Sequence, residues 1–129
     1  MVFRILVVDD DVDNRTIAGE ILASRGHTVF SASNGFDAID IAVKEKPDMI
    51  FLDISMPKMN GWETASKLKK IPGVSQIPII AFTAHAMPGD DKKAIDSGCN
   101  DYLSKPCTPV NILEKVSKWG GKQHAGNEG

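Results

Sequence analysis

Four short runs rich in Val, Ile, Leu and Phe recur along the chain: Arg4 to Val8, Thr28 to Ala32, Asp48 to Leu52 and Ile77 to Phe82. None alternates cleanly between apolar and polar residues. Each therefore reads as a strand covered on both faces, as in a parallel sheet. Asn100 to Ser104 predicts a fifth, weaker strand. Between the strands lie segments with helical spacing and punctuation. From Val12 to Arg25, Ile17, Ile21 and Leu22 share one face, and Gly26 supplies the stop. The next helix starts at Asn34 or Gly35, places Phe36, Ile39 and Val43 at i, i+3 and i+7, and ends before Pro47. Asn60 followed by Glu63 has the spacing of a cap for a helix reaching Lys70. Pro88 suits the first turn of a fourth helix that Gly98 ends, and Thr108 with Pro109 caps and starts a fifth running to Trp119.

Strict alternation of strand and helix implies a parallel sheet with helices on both faces, because parallel neighbours need right-handed crossover connections. The 129 residues fall short of a closed eight-unit barrel, which needs roughly 250. The expected fold is therefore a doubly wound (βα)5 three-layer α/β sandwich on an open five-stranded parallel sheet, in one domain. Gly120 to Gly129 is Gly-rich and polar without periodicity, which predicts a disordered tail after a domain of residues 1–119.

Lys and Arg number 15 against 17 Asp and Glu, a formal charge of −2, so nothing suggests a dedicated nucleic-acid or anionic-membrane surface. The apolar runs, such as Ile5 to Val8 and Met49 to Leu52, are far shorter than the roughly 20 residues of a membrane span. Asp9 cuts the first run before a signal-peptide core of about 7–15 residues is complete. A cytoplasmic protein is expected. Cys99 and Cys107 form neither a CxxC pair nor a metal cluster, and both read as reduced structural thiols.

Ligands of open α/β sheets bind outside the carboxyl ends of the strands. Strand one ends in Asp9, Asp10 and Asp11, strand three in Asp53, strand four in Thr83, and strand five in Ser104, Lys105 and Pro106. In a parallel sheet these converge on one edge. A cluster of carboxylates is relieved by proton uptake or by a bound cation, and hard oxygen donors favour Mg²⁺ or Ca²⁺. A lysine and a hydroxyl beside such a site suit the stabilisation of a transferring phosphoryl group, and a carboxylate there can be the nucleophile of an acyl phosphate. Spacing alone does not say which aspartate that is.

The blocks ILVVDDD at 5–11, MIFLDISMPKMNG at 49–61, PIIAFTAHAM at 78–87 and DYLSKP at 101–106 carry a resemblance. From Phe3 to Trp119 the sequence resembles the receiver domain of two-component response regulators, the CheY-like family with a flavodoxin-like fold. The resemblance implies that Asp53 accepts the phosphoryl group. It implies that Asp10 binds Mg²⁺ directly and Asp9 largely through water, with Asp53 and the backbone carbonyl of Ser55 completing the protein ligands. Mn²⁺ or Ca²⁺ would substitute for Mg²⁺. It further implies that Thr83 bonds a phosphoryl oxygen, that Lys105 pairs with Asp53 or its phosphate, and that a cis bond joins Lys105 to Pro106. Thr83 and Tyr102 would form the switch, with Tyr102 rotating inward as Thr83 moves and reshaping the surface of helix four, strand five and helix five. Ser55 and His85 would tune phosphate loss, and Gly61 and Pro106 would be structural.

The function so implied is that of a single-domain response regulator, a phosphoacceptor and not an enzyme acting on a separate substrate. It would be phosphorylated by a histidine kinase or a histidine phosphotransfer protein and would signal to a protein partner as a monomer or weak dimer, with no nucleic acid or membrane involved. Two alternatives are the receiver of a hybrid histidine kinase expressed alone and a pseudo-receiver that never uses the phosphate. An acidic run after a strand is by itself usually a solvated turn, and Lys105 or Thr83 alone would be ordinary surface and strand-end residues. Asp9, Asp11 and Asp13 with Glu20 mimic the spacing of an EF-hand loop, but Asn14 stands where that loop needs Gly, and a strand precedes it. Asp9 and Asp11 also imitate the start of haloacid-dehalogenase-like phosphohydrolases, a fold that needs a longer chain. Trp62 and Trp119 read as packing or rim residues, and no GxGxxG or Walker loop supports nucleotide binding.

Overall fold

The computed structural model describes residues 2–54, 61–83, 90–104 and 108–120. They form β1 (Arg4–Val8), α1 (Val12–Ala23), β2 (Thr28–Ala32), α2 (Gly35–Glu45), β3 (Met49–Asp53), α3 (Gly61–Leu68), β4 (Ile79–Thr83), α4 (Asp90–Asp96), β5 (Asp101–Ser104) and α5 (Pro109–Gly120). The five strands make one parallel sheet in the order β2-β1-β3-β4-β5. The expected doubly wound α/β architecture is therefore the observed one.

Strand alternation divides the core in two. Leu6, Val8, Ile50, Leu52, Ile79 and Ala81 face a layer with Ala38 and Ala42 of α2 and Ala65 and Leu68 of α3. Ile5, Val7, Met49, Phe51, Ile80 and Phe82 face the other layer, with Leu22 of α1 and Ile112 and Val116 of α5. Fully burying one Val, Leu or Ile stabilises by about 1.5–3 kcal/mol, and both faces of the central strands collect that term. This is why those strands read as continuous apolar runs.

Two expected helix faces are corrected. Phe36 and Val43, expected on the buried stripe of α2, are exposed, and only Ile39 of that set packs against the core. The buried face is Gly35, Ala38 and Ala42, whose small side chains let the helix axis lie close to the sheet and to α3. In α1, Ile17 is likewise exposed, while Leu22 is buried with Ala18 and Ile21 beside it. Large residues mark the rims of both helices and small ones the contact.

The strand limits shift for local reasons. Asp48, expected to open β3, precedes it because its carboxylate accepts the Arg4 N–H at 2.8 Å in place of a strand carbonyl. Ile77 does not join β4, since its N–H closes a turn onto the Val74 carbonyl at 3.0 Å and Pro78 follows. Helix starts follow the expected caps. Asn34 Oδ1 accepts the Asp37 N–H at 2.9 Å, and Thr108 Oγ1 accepts the Asn111 N–H at 3.1 Å. Asn60, Pro88, Cys107 and residues 121–129 lie outside the described residues. Cys99 is a buried free cysteine, and burial pushes its thiol up to about 12. Among the described residues no helix is long and apolar enough to cross a membrane.

Candidate functional site

The register of the sheet builds the site. Val8 of β1 pairs with Leu52 of β3, so the next residues, Asp9 and Asp53, leave neighbouring strands at the same level. Parallel strands lie about 4.8 Å apart, which sets the separation of whatever follows them. Carboxylate oxygens of Asp9, Asp10 and Asp53 lie within 4.8 Å of one another, with Asp9 and Asp53 buried and Asp10 exposed. No other metal-competent group of three acids, histidines or cysteines occurs among the described residues.

Asp9, Asp11 and Asp53 are each fixed by their local structure. The Asp9 N–H donates to the Ala32 carbonyl at 3.1 Å, which extends the β1–β2 ladder by one rung. Asp9 Oδ1 accepts the Asp11 N–H at 2.9 Å. Asp11 caps α1, its Oδ1 accepting the N–H groups of Asp13 at 2.8 Å and Asn14 at 3.3 Å. The third acid of the triplet thus starts the helix that follows β1. Asp53 ends β3 opposite Phe82 of β4, and the Ile54 N–H donates to the Phe82 carbonyl at 3.1 Å. Gly61 then returns against this corner. A Cβ there would lie 2.3 Å from Ile54 Cα and 2.7 Å from the Asp53 carbonyl oxygen, so the close approach admits only glycine.

Thr83, described in its backbone, ends β4 one residue beyond Phe82 and pairs with Ser104 of β5. Tyr102 of β5 pairs with Ala81 and packs half-buried against the core layer of α2 and α3. Ser55, His85, Lys105 and Pro106 lie outside the described residues. At the opposite end of β5, Asp101 accepts from Trp119 Nε1 at 2.7 Å and Lys115 Nζ at 2.9 Å, with Lys118 Nζ 3.3 Å away. Burial pushes the Asp101 carboxyl up, but these hydrogen bonds and the Lys115 charge outweigh it and hold it at about 2.

Sequence reasoning missed two polar arrangements. Arg15 Nη1 donates to the Asp9 carbonyl at 2.7 Å, a link foreshadowed only by its place one turn after Asp11. Asn100 Oδ1 accepts both the Ile79 N–H at 3.0 Å and Lys69 Nζ at 3.1 Å, tying the turn after α3 to the entrances of β4 and β5.

Three oxygen-rich side chains at one sheet edge, two of them buried, can hold a hard cation, and a carboxylate among them can act as a nucleophile. The model of the response regulator receiver domain matches residues 5–117. The chain belongs to the response regulator receiver family. Among its curated relatives, the probable transcriptional regulator ycf29 of Pyropia yezoensis is 38% identical over 91% of this receiver and 53% of that protein. The chain thus spans about half the length of that relative. The polar-differentiation response regulator DivK of Brucella anthropi is 32% identical over 91% of the receiver and 95% of DivK.

Solved structures agree. The receiver domain of the sensor histidine kinase PA1611 of Pseudomonas aeruginosa, with a magnesium ion coordinated in its active-site cleft, is 30% identical, with TM-score 0.86 over 94% of this chain and 99% of that one. The receiver domain of Ssk1 from Saccharomyces cerevisiae, solved with the histidine phosphotransfer protein Ypd1, belongs to a match that is 32% identical with TM-score 0.84, covering 93% of this chain and 90% of the matched one.

Proposed function

We propose that this receiver is a cytoplasmic, single-domain response regulator that takes a phosphoryl group from a histidine kinase or a histidine phosphotransfer protein onto Asp53. The observation that carries the reading is the meeting of the Asp9, Asp10 and Asp53 carboxylates within 4.8 Å at the carboxyl edge of the sheet. The donor set is all oxygen and anionic, which fits a hard divalent cation such as Mg²⁺. Asp9, Asp10 and Asp53, with the Ser55 carbonyl, would hold it. When bound it would supply the positive charge that lets an anionic nucleophile approach an anionic phosphoryl donor.

The protein's own groups do the rest. Asp53 sits only 2% exposed at the end of a central strand, so its carboxylate is held in place by the sheet. Its oxygen attacks phosphorus as the bond from phosphorus to the donor's imidazole nitrogen breaks. The electron pair leaves with that nitrogen, and an aspartyl phosphate forms. Thr83 would donate to a phosphoryl oxygen, and Lys105 would offset the charge on Asp53 or its phosphate. Ser55 and His85 would border the attacking water and set the lifetime of the phosphate.

Output would pass through the surface of α4, β5 and α5. Ile95 is the only large aliphatic residue of α4, and it is exposed, so few apolar contacts hold that helix. Tyr102 lies on the strand between α4 and α5, where a change at Thr83 would reach it across the β4–β5 pairing. The Ypd1 complex of the similar Ssk1 receiver supports a histidine phosphotransfer protein as donor. The likeness to the PA1611 kinase receiver equally suits a module of a hybrid kinase.

The test is intact mass after incubation with acetyl phosphate or phosphoramidate, with Mg²⁺ or with EDTA, on wild type and Asp53→Asn. The expected result is a metal-dependent phosphoryl adduct that the variant lacks. A folded, Mg²⁺-loaded protein that stays unmodified overturns the reading in favour of a pseudo-receiver. Faster hydrogen exchange in α4 on phosphorylation is the corresponding expectation for the switch, and unchanged protection there refutes it.

A further inference from the structure

Arg15 has no place in the chemistry proposed above, yet its half-buried guanidinium reaches back from the first turns of α1 to the Asp9 carbonyl, with Nη1 at 2.7 Å. Asp9 is also held through its N–H on the Ala32 carbonyl and through its Oδ1 under the Asp11 N–H. The Arg15 N–H meanwhile donates to the Asp11 carbonyl at 3.0 Å as part of α1. A closed circuit results. The turn Asp9–Asp11 starts the helix, and the helix returns a charged donor to the turn's first residue. A charge-assisted hydrogen bond is about twice as strong as a neutral one, so the Arg15 tie outweighs the neutral bond from the Asp9 N–H to the Ala32 carbonyl.

We infer that Arg15 is a positioning residue for the acidic site: by clamping the Asp9 peptide it fixes the Asp9 carboxylate at the spacing from Asp10 and Asp53 that a divalent cation needs. The inference rests on the metal reading given above. The competing physical account is a plain charge effect, in which a guanidinium beside the cluster repels a cation. Asp37 and Asp40 line the same cleft as Arg15, and anionic charge on that side works against such repulsion. The two accounts predict opposite signs. Removing the charge tightens cation binding if repulsion dominates and loosens it if positioning does.

The experiment is calorimetric titration of Mg²⁺ into the full chain as wild type, Arg15→Gln, Arg15→Lys and Val116→Ala, at low and at moderate salt. Val116 is buried in the α1 and α5 layer, so Val116→Ala supplies a loss of stability unconnected with Asp9. Positioning partners of metal ligands are worth about 10–100-fold in affinity, and a backbone clamp belongs at the low end. Arg15→Gln is expected to bind Mg²⁺ about 10-fold more weakly, with Arg15→Lys recovering most of the loss and Val116→Ala unchanged. In phosphorylation by acetyl phosphate, Arg15→Gln raises the half-saturating Mg²⁺ concentration and leaves the rate at saturating Mg²⁺ within about twofold. Equal or tighter Mg²⁺ binding by Arg15→Gln overturns the inference, as does an equal loss in Val116→Ala. Absence of Mg²⁺ binding in wild type overturns the metal reading itself, and positioning with it.

Discussion

Replacing Gly61 with alanine sets two physical effects of opposite sign against each other. Alanine favours a helix over glycine by about 1 kcal/mol in a helix interior and by less at the first residue, where Gly61 stands. Against this, the new Cβ would lie 2.3 Å from Ile54 Cα, 2.7 Å from the Asp53 carbonyl oxygen and 2.9 Å from Ile54 Cβ. Carbon atoms rest about 3.5–4.0 Å apart. The 61 and 53–54 backbones must therefore separate by about 1 Å, which strains the Gly61 N–H bond to the Ile54 carbonyl, already 3.3 Å long. Overpacking of this kind costs about 1–3 kcal/mol, and the contacts are with backbone, so the expected net loss is about 2 kcal/mol.

At about 2.1 cal/mol/K of unfolding entropy per residue, that loss lowers the melting temperature of a chain this size by about 7 °C. Gly19→Ala is the matched control. It lies inside α1, and its Cβ would meet only Val29 Cγ1 at 3.7 Å, an ordinary contact, so the helix gain of about 0.5–1 kcal/mol stands and the melting point rises by a few degrees. Thermal melts by circular dichroism, repeated in urea, measure both. The strain also falls on the backbone of Asp53. Gly61→Ala, assayed where it is fully folded, should accept phosphate more slowly, whereas Gly19→Ala should match wild type. A Gly61→Ala protein melting at or above wild type would refute the steric argument.

Three further predictions follow from polar contacts. His27 Nδ1 accepts the Phe3 N–H at 3.0 Å while its ring stacks on Phe3, and burial lowers its pKa from 6.5, so folding favours the neutral ring. The stability this confers is present above pH 6.5 and is lost as the pH falls below it, so melts between pH 7 and 5 should show a decline that His27→Gln flattens. Asp101, held at about 2 against an ordinary 3.8, contributes stability that is complete above about pH 4 and lost as the pH falls toward 2; urea titrations should find that part of the acid decline missing in Asp101→Asn. Asn100→Ala removes the acceptor shared by Ile79 N–H and Lys69 Nζ, and leaving these donors underused should cost about 2 kcal/mol in urea midpoints, with Asn100→Asp less damaging because it keeps an oxygen for Lys69.

The strands were the legible part of the chain because both faces of the sheet are covered, and burial writes itself as an unbroken apolar run. Arg4–Val8 has the limits that pattern implies; Thr28–Ala32 does too, but it is the edge strand with only Ala32 buried, so the expected cover on both faces does not hold there. The limits of β3 and β4 depend on one carboxylate and one turn, at Asp48 and Ile77, which periodicity does not weigh. Helix faces were the illegible part. Ranking residues by size favours Phe36, Val43 and Ile17, whereas tight packing of α2 on sheet and α3 selects Ala38 and Ala42. Among the site residues, Asp9, Asp10 and Asp53 could be assigned to one edge because strand ends in a parallel sheet share it. The Arg15 clamp could not, since a hydrogen bond to a carbonyl leaves no mark on composition or spacing.

The acidic site depends on β1 and β3 being neighbours. In the observed order β2-β1-β3-β4-β5, one strand spacing of about 4.8 Å separates Asp9 from Asp53, within the span of two oxygens on a single cation. Had β2 lain between them, as simple sequential order would place it, the separation would double to about 10 Å and no single ion could touch both. The same arrangement opens the site. The helix that follows β1, α1, packs on the α5 face of the sheet, while the helix that follows β3, α3, packs on the α2 face. In open α/β sheets such a switch of faces is where ligands bind, outside the carboxyl ends of the strands. Asp9 and Asp53 can thus be buried by their own strands while Asp10, one residue beyond Asp9, remains exposed. The sheet order, more than any one side chain, makes a buried carboxylate reachable.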